Sequence, residues 1–510
     1  MTTSIWKKLA ARKRRIEKRL DKTNTSSDGP MLSASNIHYE LADRTQATCA
    51  GGIGLVHQMV KRLELDAEIN KRLNVLKLYL PYTESDHVLN IAYNVLAGGT
   101  CLEHLELRRH DEVYMNGLGA RRIPDPTTAG DFCRRFDRLM IFILQQVFND
   151  IRVRVWQQQP RSFFEEAVLD ADGTMVETTG ECKQGMDINY EGKWGYHPLM
   201  ISLANTGEPL YLVNRSGNRP SHENAHVYFD QAIAHCRKAG FRKITLRGDT
   251  DFSQTEHLDR WDEQKVTFIF GIDAMPNLYE LAEKLPKNAW KRLRRPARYE
   301  VKTQTRKRPE NVKERIVEER EFENKRLVAE YVAEFRYRPG KCSKEYRVIV
   351  VKKHVEVTRG QTELFETFPC FFYITNSWET TPEQIVFKAN GRCNQENLIE
   401  QQKNDVRSLT APLDSLESNW AYMVMTALAW SLKAWAALLV PVNPRCVEQH
   451  EHEKQKLLRM DFSTFRNALI NIPAQIVRTG GRIIYRLLNW NPWLHVFFRL
   501  AESLAYPLRI

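Results

Sequence analysis

The sequence lacks paired cysteines and an apolar leader. Its nine cysteines are scattered between Cys49 and Cys446, and none forms a CxxC pair. An odd, unpaired set predicts free thiols in a reducing compartment and excludes a small disulfide scaffold. The first residues do not show the apolar run that is typical of a secretory signal. We therefore expect a cytoplasmic protein.

Long hydrophobic runs are also scarce, with a single exception. Residues 421–440, AYMVMTALAWSLKAWAALLV, are long enough to cross a bilayer. Lys433 lies within this stretch, and the rest of the chain is polar in character. These features favour a helix buried in a large core over a membrane span, and we expect no membrane partner.

Acidic residues are outnumbered by basic ones. The 510-residue chain has 75 Lys plus Arg against 63 Asp plus Glu, a formal net charge of +12. This balance favours an anionic partner such as nucleic acid, and the length predicts two to four domains. Residues 7–22 carry nine basic and two acidic side chains. They fit either an arm that orders on the DNA backbone or a disordered tail, and they lie in a predicted arm and linker over 1–30.

Residues 31–160 show the apolar spacing of helices and are predicted to form a helical DNA-binding domain. Asp125 or Thr127 can cap one of these helices, because Pro126 is suited to its first turn. Arg134 and Arg135 are predicted to follow on that helix and to contact DNA.

From residue 161 the pattern changes to α/β. Three apolar strands, a helix over 222–240, a fourth strand over 243–252, a second helix and a fifth strand predict a mixed sheet within residues 161–274. A β-rich insertion domain over 275–370 interrupts this pattern, which resumes over 371–440. Residues 441–510 are predicted to be a helical C-terminal region that serves dimerisation or DNA contact.

The insertion is strongly basic at its beginning. Eleven basic residues and one acid lie between 284 and 308. Basic side chains interleaved with aromatic ones suit a nucleic-acid surface. The residues predicted to bind DNA here are Trp290, Lys291, Arg292, Arg294, Arg295 and Arg298.

One polar stretch, NGRCNQENLIEQQKND at 390–405, has helical spacing. Its charged residues Arg392, Glu396, Glu400 and Lys403 fall at i, i+4, i+8 and i+11. At about 100° per residue, these four side chains lie on one face of a helix. The spacing therefore predicts a helix that presents carboxylates between two cations.

Further acids follow the apolar strands. Asp170 and Asp172 end the first strand, and Asp249 and Asp251 end the fourth. Carboxylates at strand ends and on a packing helix can converge on one edge of a sheet. Such a cluster suits two Mg²⁺ ions, which prefer oxygen ligands and activate in-line phosphoryl displacement. We predict that one acid from each pair and Glu396 form this cluster, with Glu400 as an alternative.

These motifs resemble those of bacterial cut-and-paste insertion-sequence transposases of the DDE type. The sequence DGT at 172–174 resembles the family's Asp-small-Thr motif after the first strand, and LRGDTDF resembles the context of its second Asp, at Asp249. Arg392-x3-Glu396-x6-Lys403 is similar to the last three members of the YREK signature, Tyr-x2-Arg-x3-Glu-x6-Lys. The tyrosine position holds Ala389, a departure from the pattern.

The resemblance implies an RNase H-like mixed sheet with a β-strand insertion. It also implies that Asp172, Asp249 and Glu396 are catalytic metal ligands for two Mg²⁺ ions, which Mn²⁺ can replace. Arg392 and Lys403 would bind phosphates of the transposon end.

The same resemblance implies partners and a reaction course. The partners would be double-stranded DNA with terminal inverted repeats, target DNA and a second copy of the chain in a synaptic complex, near the bacterial nucleoid. Excision would pass through a DNA hairpin, with Trp290 or Trp378 as a stacking platform for a flipped base.

Two other interpretations remain open from the sequence. A catalytically inactive, domesticated transposase would keep DNA binding without cleavage. A plain RNase H-like nuclease would cut without strand transfer.

Overall fold

The described part of the chain is extensive. The computed structural model describes residues 3–21, 34–40, 45–77, 81–295, 310–359 and 362–506. Arg298 and the predicted linker over 23–30 lie outside these residues.

Helices dominate the first third of the chain and its C-terminal part. They are α1 (Thr3–Leu20), α2 (Ile53–Leu63), α3 (Leu65–Arg72), α4 (Glu84–Leu96), α5 (Leu105–Arg109), α6 (Glu112–Leu118), α7 (Pro126–Cys133), α8 (Arg138–Trp156), α9 (Ala225–Ala239), α10 (Leu258–Glu263), α11 (Pro276–Glu283), α12 (Val312–Glu319), α13 (Pro382–Asn390), α14 (Cys393–Asn404), α15 (Leu416–Leu438), α16 (Val447–Arg459), α17 (Phe462–Phe465) and α18 (Leu494–Leu504).

The strands form three sheets. They are β1 (Ala47–Thr48), β2 (Glu166–Gly173), β3 (Val176–Glu177), β4 (Asp187–Ile188), β5 (Trp194–Tyr196), β6 (Leu199–Leu203), β7 (Glu208–Val213), β8 (Lys243–Gly248), β9 (Thr267–Ile272), β10 (Lys291–Arg292), β11 (Glu323–Tyr337), β12 (Tyr346–Arg359), β13 (Thr362–Thr367), β14 (Cys370–Thr375), β15 (Ala474–Thr479) and β16 (Arg482–Leu487).

A ten-stranded sheet is the centre of the molecule. Its order is β10-β11-β12-β14-β9-β8-β2-β6-β7, with β13 paired to β12. β2, β6 and β7 are antiparallel neighbours, whereas β8 and β9 run parallel to β2. Because β2 and β8 run parallel, the acids that follow them reach the same edge of the sheet. The predicted mixed α/β class is confirmed.

The strands of the predicted insertion belong to this same sheet. β14 pairs with β9, β12 with β14, and β11 with β12 along the full length of β11. The described strands between residues 291 and 367 extend the central sheet and do not form a sheet of their own.

The membrane-length run is buried in the core. It lies in α15, whose apolar window is completely buried within the protein. Indole N–H groups of this helix donate to the β7 region: Trp420 to Leu212 O and Trp430 to Gly207 O, at 2.5 and 2.7 Å. This agrees with the expected core helix.

The basic N-terminal stretch is a helix that packs on the C-terminal region. Leu9 in α1 is buried, and the Arg12 guanidinium donates to the carbonyls of Leu487 and Asn489 at 2.8 and 3.1 Å. In the structure, residues 7–20 are therefore part of a helix that packs on the C-terminal region.

Local helix signals act where the sequence places them, with one shift. Asp125 caps α7, accepting from Thr128 N at 2.8 Å, and Pro126 occupies the first turn. However, α7 ends at Cys133, so Arg134 and Arg135 lie in the turn after the helix. The expectation that these arginines lie on the helix was wrong.

Candidate functional site

Three carboxylates meet at one edge of the central sheet. Asp172 lies near the end of β2, and Asp249 directly follows β8, where its side chain accepts from Asp251 N at 3.1 Å. Glu396 lies in the first turn of α14, where the helix dipole favours a negative charge. We call Asp172, Asp249 and Glu396 the acidic triad.

Arg392 lies at the centre of the acidic triad. Its guanidinium is 3.1 Å from Asp172 Oδ2, 3.2 Å from Glu396 Oε1 and 4.0 Å from Asp249 Oδ2. The sequence predicts Arg392 beside the metal-binding glutamate as a phosphate contact. The structure shows in addition that this one cation binds acids from two strands and a helix.

Burial and mutual repulsion set the charges of the triad. Burial raises the pKa of Asp172 to about 6, and Asp249 and Glu396 add to the rise against the attraction of Arg392. Burial also raises the pKa of Asp249. Burial opposes the charge on Arg392, but the surrounding carboxylates outweigh it and raise the pKa of the guanidinium. The site thus holds more negative charge than one cation neutralises.

Asp170, the alternative to Asp172, is committed to another arginine. It is 1 % exposed, and both of its oxygens accept from Arg247 at 2.7 Å. Arg247 also donates to Lys388 O at 2.6 Å, at the end of α13. This bidentate pair ties β2, β8 and α13 together, which leaves Asp172 as the acid of β2 that faces Arg392.

The polar stretch over 390–405 is not one continuous helix. α13 ends at Asn390 and α14 begins at Cys393. A Cβ on Gly391 would lie 2.4 Å from Arg247 Nη1, so the guanidinium would have to shift for any other residue at this position. Arg392, which directly precedes α14, still lies on the same side as Glu396, 3.2 Å away, as the i, i+4 spacing predicts.

The other two charged residues of this stretch lie apart from the acids. Glu400 is exposed and makes no ion pair with the described residues. Lys403 is half-buried, and burial lowers the pKa of its amine, which also senses Glu177, Lys193 and Asp172. Lys403 therefore lies within electrostatic range of the triad, and Glu400 shows no such link.

The triad offers the oxygen donors that Mg²⁺ prefers. Among the described residues, no three His, Cys, Asp or Glu side chains are gathered closely enough to hold a metal ion as they stand. The space between the three carboxylates is bridged by the Arg392 guanidinium. The donor chemistry fits a divalent ion, provided that Arg392 moves aside.

Comparison with known families agrees with this geometry. A family model described as "Transposase DDE domain group 1" matches residues 33–507. The chain belongs to this transposase family. It is thus a DDE transposase, a DNA transposase of a family whose domains use divalent metal ions, generally Mg²⁺.

The transposase is similar to a piggyBac transposase seen by cryo-EM in a synaptic complex with hairpin DNA. The likeness has 10 % identity and a TM-score of 0.34, and it covers 83 % of this chain and 84 % of the other. No curated protein matches the sequence.

The basic residues predicted to bind DNA differ in whether they already have ion-pair partners within the transposase. Arg134 is paired with Asp131 and Asp414 at 2.9 and 3.0 Å, whereas Arg135 is exposed. Lys291, Arg292 and Arg294 are exposed at the edge of the sheet, but Arg295 binds the buried Glu330 through two hydrogen bonds of 2.6 and 2.8 Å. Arg134 and Arg295 therefore have structural partners, whereas Arg135, Lys291, Arg292 and Arg294 make no ion pair with the residues that the structure describes.

The two candidate tryptophans lie at different ends of the strands. Trp290 lines a cavity of about 620 Å³ with Lys352, whose ammonium is 5.5 Å from the ring centre. Cys370 lines this cavity and also a second one, of about 320 Å³, which includes Asp249 and Arg392. Trp378 follows Asn376, which binds the start of β9 at Phe268 N, away from the triad. Trp290 therefore lines a cavity next to that of Asp249 and Arg392, whereas Trp378 lies near the start of β9.

Sequence analysis missed the segment that adjoins Asp172. Residues 174–197 form the small sheet β3-β5-β4. The exposed Tyr190 and Trp194 in NYEGKW were the available signal, because Asn and Gly mark a turn between short strands.

Proposed function

We propose that this transposase excises and integrates a bacterial insertion sequence by two-metal phosphoryl transfer at the acidic triad. The proposal also assigns it to the YREK branch and to an RNase H-like catalytic fold. The observation that carries it is the convergence of Asp172, Asp249 and Glu396 within 4.0 Å of one guanidinium. Three carboxylates are brought together there from two parallel strands and a helix.

The order of the strands supports the fold assignment. Three antiparallel strands are followed by two that run parallel to the first, and the acids follow the first and fourth of them. The residues Arg392, Glu396 and Lys403 carry the branch assignment, although Ala389 departs from it.

The residues of the chain have distinct roles in the reaction. Asp172, Asp249 and Glu396 would hold two Mg²⁺ ions, which supply activation of the nucleophile and stabilisation of charge on the leaving oxygen. Arg392 would leave the carboxylates for a DNA phosphate, since a guanidinium binds phosphate in a bidentate manner. Lys403, which has no ion-pair partner among the described residues, would bind a second phosphate.

The same site can serve successive steps. In the first, water attacks a phosphorus at the transposon end, and the bond to the 3′-oxygen breaks to leave a 3′-OH. That hydroxyl then attacks the opposite strand to form a hairpin, which water reopens. The 3′-OH finally joins target DNA. Each step exchanges one phosphodiester oxygen for another, so one set of carboxylates suffices.

Exposed cations define the proposed DNA path. Lys291, Arg292 and Arg294 at the edge strand β10 and Arg135 after α7 would contact phosphates, which gives affinity that falls with salt. Trp290 would stack on a flipped base from its cavity beside the site. Two copies of the chain would act on the two inverted repeats in one synaptic complex, in the bacterial cytoplasm.

A cleavage assay tests the proposed function. DNA that flanks the gene in its genome, including inverted repeats, is incubated with protein and Mg²⁺ or Mn²⁺, and products are separated on native and denaturing gels. We expect cuts at the repeat ends in the wild type and none in Asp249→Ala. Hairpin products are identified by their altered mobility on the denaturing gel.

Two outcomes would overturn the proposal. Binding of the repeats without cleavage in either metal would indicate an inactive DNA-binding relic. Cleavage that does not depend on the repeats and never joins DNA ends would indicate a plain nuclease.

A further inference from the structure

A small sheet projects from the central sheet beside the acidic triad. We call residues 174–197, which contain β3, β4 and β5, the flap. The flap begins immediately after Gly173, and Thr174 N donates to Pro198 O at 3.1 Å where the chain returns to β6. Both ends of the flap are therefore fixed next to Asp172.

The base of the flap is held rigidly. Tyr196 is buried, and its hydroxyl donates to Gln184 O at 2.8 Å. Gln184 N in turn donates to Asp414 O at 2.8 Å, and the Lys183 ammonium donates to Leu413 O at 2.8 Å. These bonds fasten the flap to the loop before α15.

The tip of the flap is also well formed. Asn189 Oδ1 accepts from the backbone of Glu191 and Lys193 at 3.0 and 2.9 Å. Gly192 has a φ of 81°, which closes the turn at no steric cost. The tip is a defined turn that presents its side chains on a fixed support.

This support presents large apolar side chains to solvent. Tyr190 is 97 % exposed, Trp194 52 % and Ile188 40 %. Ile188 and Trp194 are directly opposite each other on β4 and β5. A rigid element that leaves Trp, Tyr and Ile uncovered indicates a contact surface, because burying them would otherwise favour folding.

The charges of the flap indicate which kind of partner it contacts. The flap contains four acids and two lysines, so it is not a phosphate clamp. Lys193 is paired with Glu191 at 2.8 Å and lies 3.7 Å from Glu177. Lys403, which makes no ion pair with the described residues, senses Glu177 and Lys193 of the flap and also Asp172. Aromatic faces on the flap and a cation close to both the flap and the triad suit a nucleic-acid strand that is held by its bases.

We propose that the flap binds DNA next to the scissile phosphate, with Trp194 stacking on an unpaired or terminal base and Tyr190 supporting it. This inference rests on the proposed function, since it takes the triad as the place where DNA is cut. The flap positions the strand and takes no part in bond breaking. Stacking is tolerant of sequence, so the flap adds affinity at the cut site and little recognition of particular bases.

The test uses full-length protein and a duplex of the repeat end with 2-aminopurine at either side of the scissile bond. Binding and fluorescence are measured in the Asp249→Ala background, which keeps the DNA intact. Trp194→Ala is compared with Trp194→Phe and with Trp378→Ala. Trp378 is a matched control, because it is 50 % exposed and lies away from the triad.

We expect Trp194→Ala to weaken binding of the repeat-end duplex by about 5- to 100-fold, which corresponds to the loss of one stacked base. The fluorescence change at the cut site should disappear with it. Trp194→Phe should retain most of both, and Trp378→Ala should change affinity by less than about twofold. The ratio of wild-type to Trp194→Ala affinity should stay constant with salt, because stacking releases no counterions.

Several outcomes would overturn the inference. Equal affinity and fluorescence in Trp194→Ala and Trp378→Ala show that the flap does not contact DNA at the cut. A loss that Trp194→Phe does not restore, together with a lower melting temperature, shows a folding role instead.

Failure of the proposed function is seen separately. In that case the protein with its triad intact cuts no repeat ends, whatever residue stands at 194. A fluorescence change that still depends on Trp194 would then support base contact alone.

Discussion

Two carboxylates on the same strand have opposite fates. Asp170 and Asp172 lie two residues apart on β2, and each faces an arginine. Arg247 binds both oxygens of Asp170 at 2.7 Å, and the two side chains are 8 % and 1 % exposed. Arg392 donates from Nη1 to Asp172 at 3.1 Å and from Nη2 to Glu396 at 3.2 Å, and Nη1 also lies 4.0 Å from Asp249.

The contrast shows what distinguishes a structural pair from a reactive site. In the first pair, every strong donor meets an acceptor, so removing either partner leaves a buried charge unpaired. In the second, three acids compete for one cation and stay partly open to solvent. Such a site can exchange its cation for another without unfolding the protein, which is what a metal-dependent transposase requires.

The largest expected effect comes from removing one carboxylate of the acidic triad. Glu396→Gln should lower repeat-end cleavage by at least about a thousandfold, since loss of a metal ligand removes several kcal/mol of transition-state stabilisation. Glu400→Gln is the matched control, because Glu400 lies one turn further along α14 without an ion pair to the described residues. Initial rates of cleavage in Mg²⁺ measure both. Equal losses in the two variants would show that Glu396 is not the special carboxylate.

A smaller effect comes from removing the arginine of the buried Asp170–Arg247 pair. Arg247→Met leaves Asp170 buried without its cation and should lower the free energy of unfolding by about 3–5 kcal/mol. Arg392→Met should lower the free energy of unfolding by about 1 kcal/mol or less, because the acids of the triad remain partly accessible to water. Urea unfolding of the metal-free proteins measures both changes. A larger loss for Arg392→Met than for Arg247→Met would reverse the assignment of the two arginines.

The smallest effect is on how the stability of the folded protein depends on pH. The pKa of Asp172 is raised to about 6 in the folded protein, mainly by burial, and is about 3.9 in an unfolded chain. The folded state therefore favours the protonated acid, and wild-type stability falls as pH rises from about 4 to about 6. Asp172→Asn lacks this loss, so it should be more stable than wild type at pH 7.5, by up to about 3 kcal/mol, and equal near pH 4.

Unfolding in EDTA at a series of pH values checks this prediction. EDTA keeps divalent ions from the triad, so the comparison reports the acids and Arg392 alone. Parallel pH profiles for the two proteins would contradict it.

Features with local causes could be predicted from sequence. The start of α7 at Asp125 and Pro126 depends on neighbours within one turn, and the end of α9 depends on Gly240, which has a φ of 105°. The acids after β2 and β8 follow directly from apolar runs that end in Asp. The order of strands from β2 to β9 likewise follows from successive patterns along the chain.

Features with distant causes could not. A Cβ on Gly391 would meet Arg247, which is far away in sequence, and the acids that Arg392 contacts come from β2, from the end of β8 and from α14. The pairing of β14 with β9 joins the insertion to the central sheet, although no local pattern specifies a partner strand. Arg134 looked free in the sequence, but its partner Asp414 lies 280 residues away.

The buried helix α15 has a practical consequence for dissecting the molecule. One side of α15 packs on α4 and α8 of the N-terminal region, and its tryptophans bind the β7 region on another side. One large hydrophobic cluster includes residues from Leu9 to Leu504, and a second, smaller cluster lies around Ile349 in the central sheet. A chain that ends before residue 416 would lack α15 and would expose, in both regions at once, the apolar surface that packs on this helix. Limited proteolysis should therefore nick loops without releasing independently folded pieces, and melting should follow one cooperative transition.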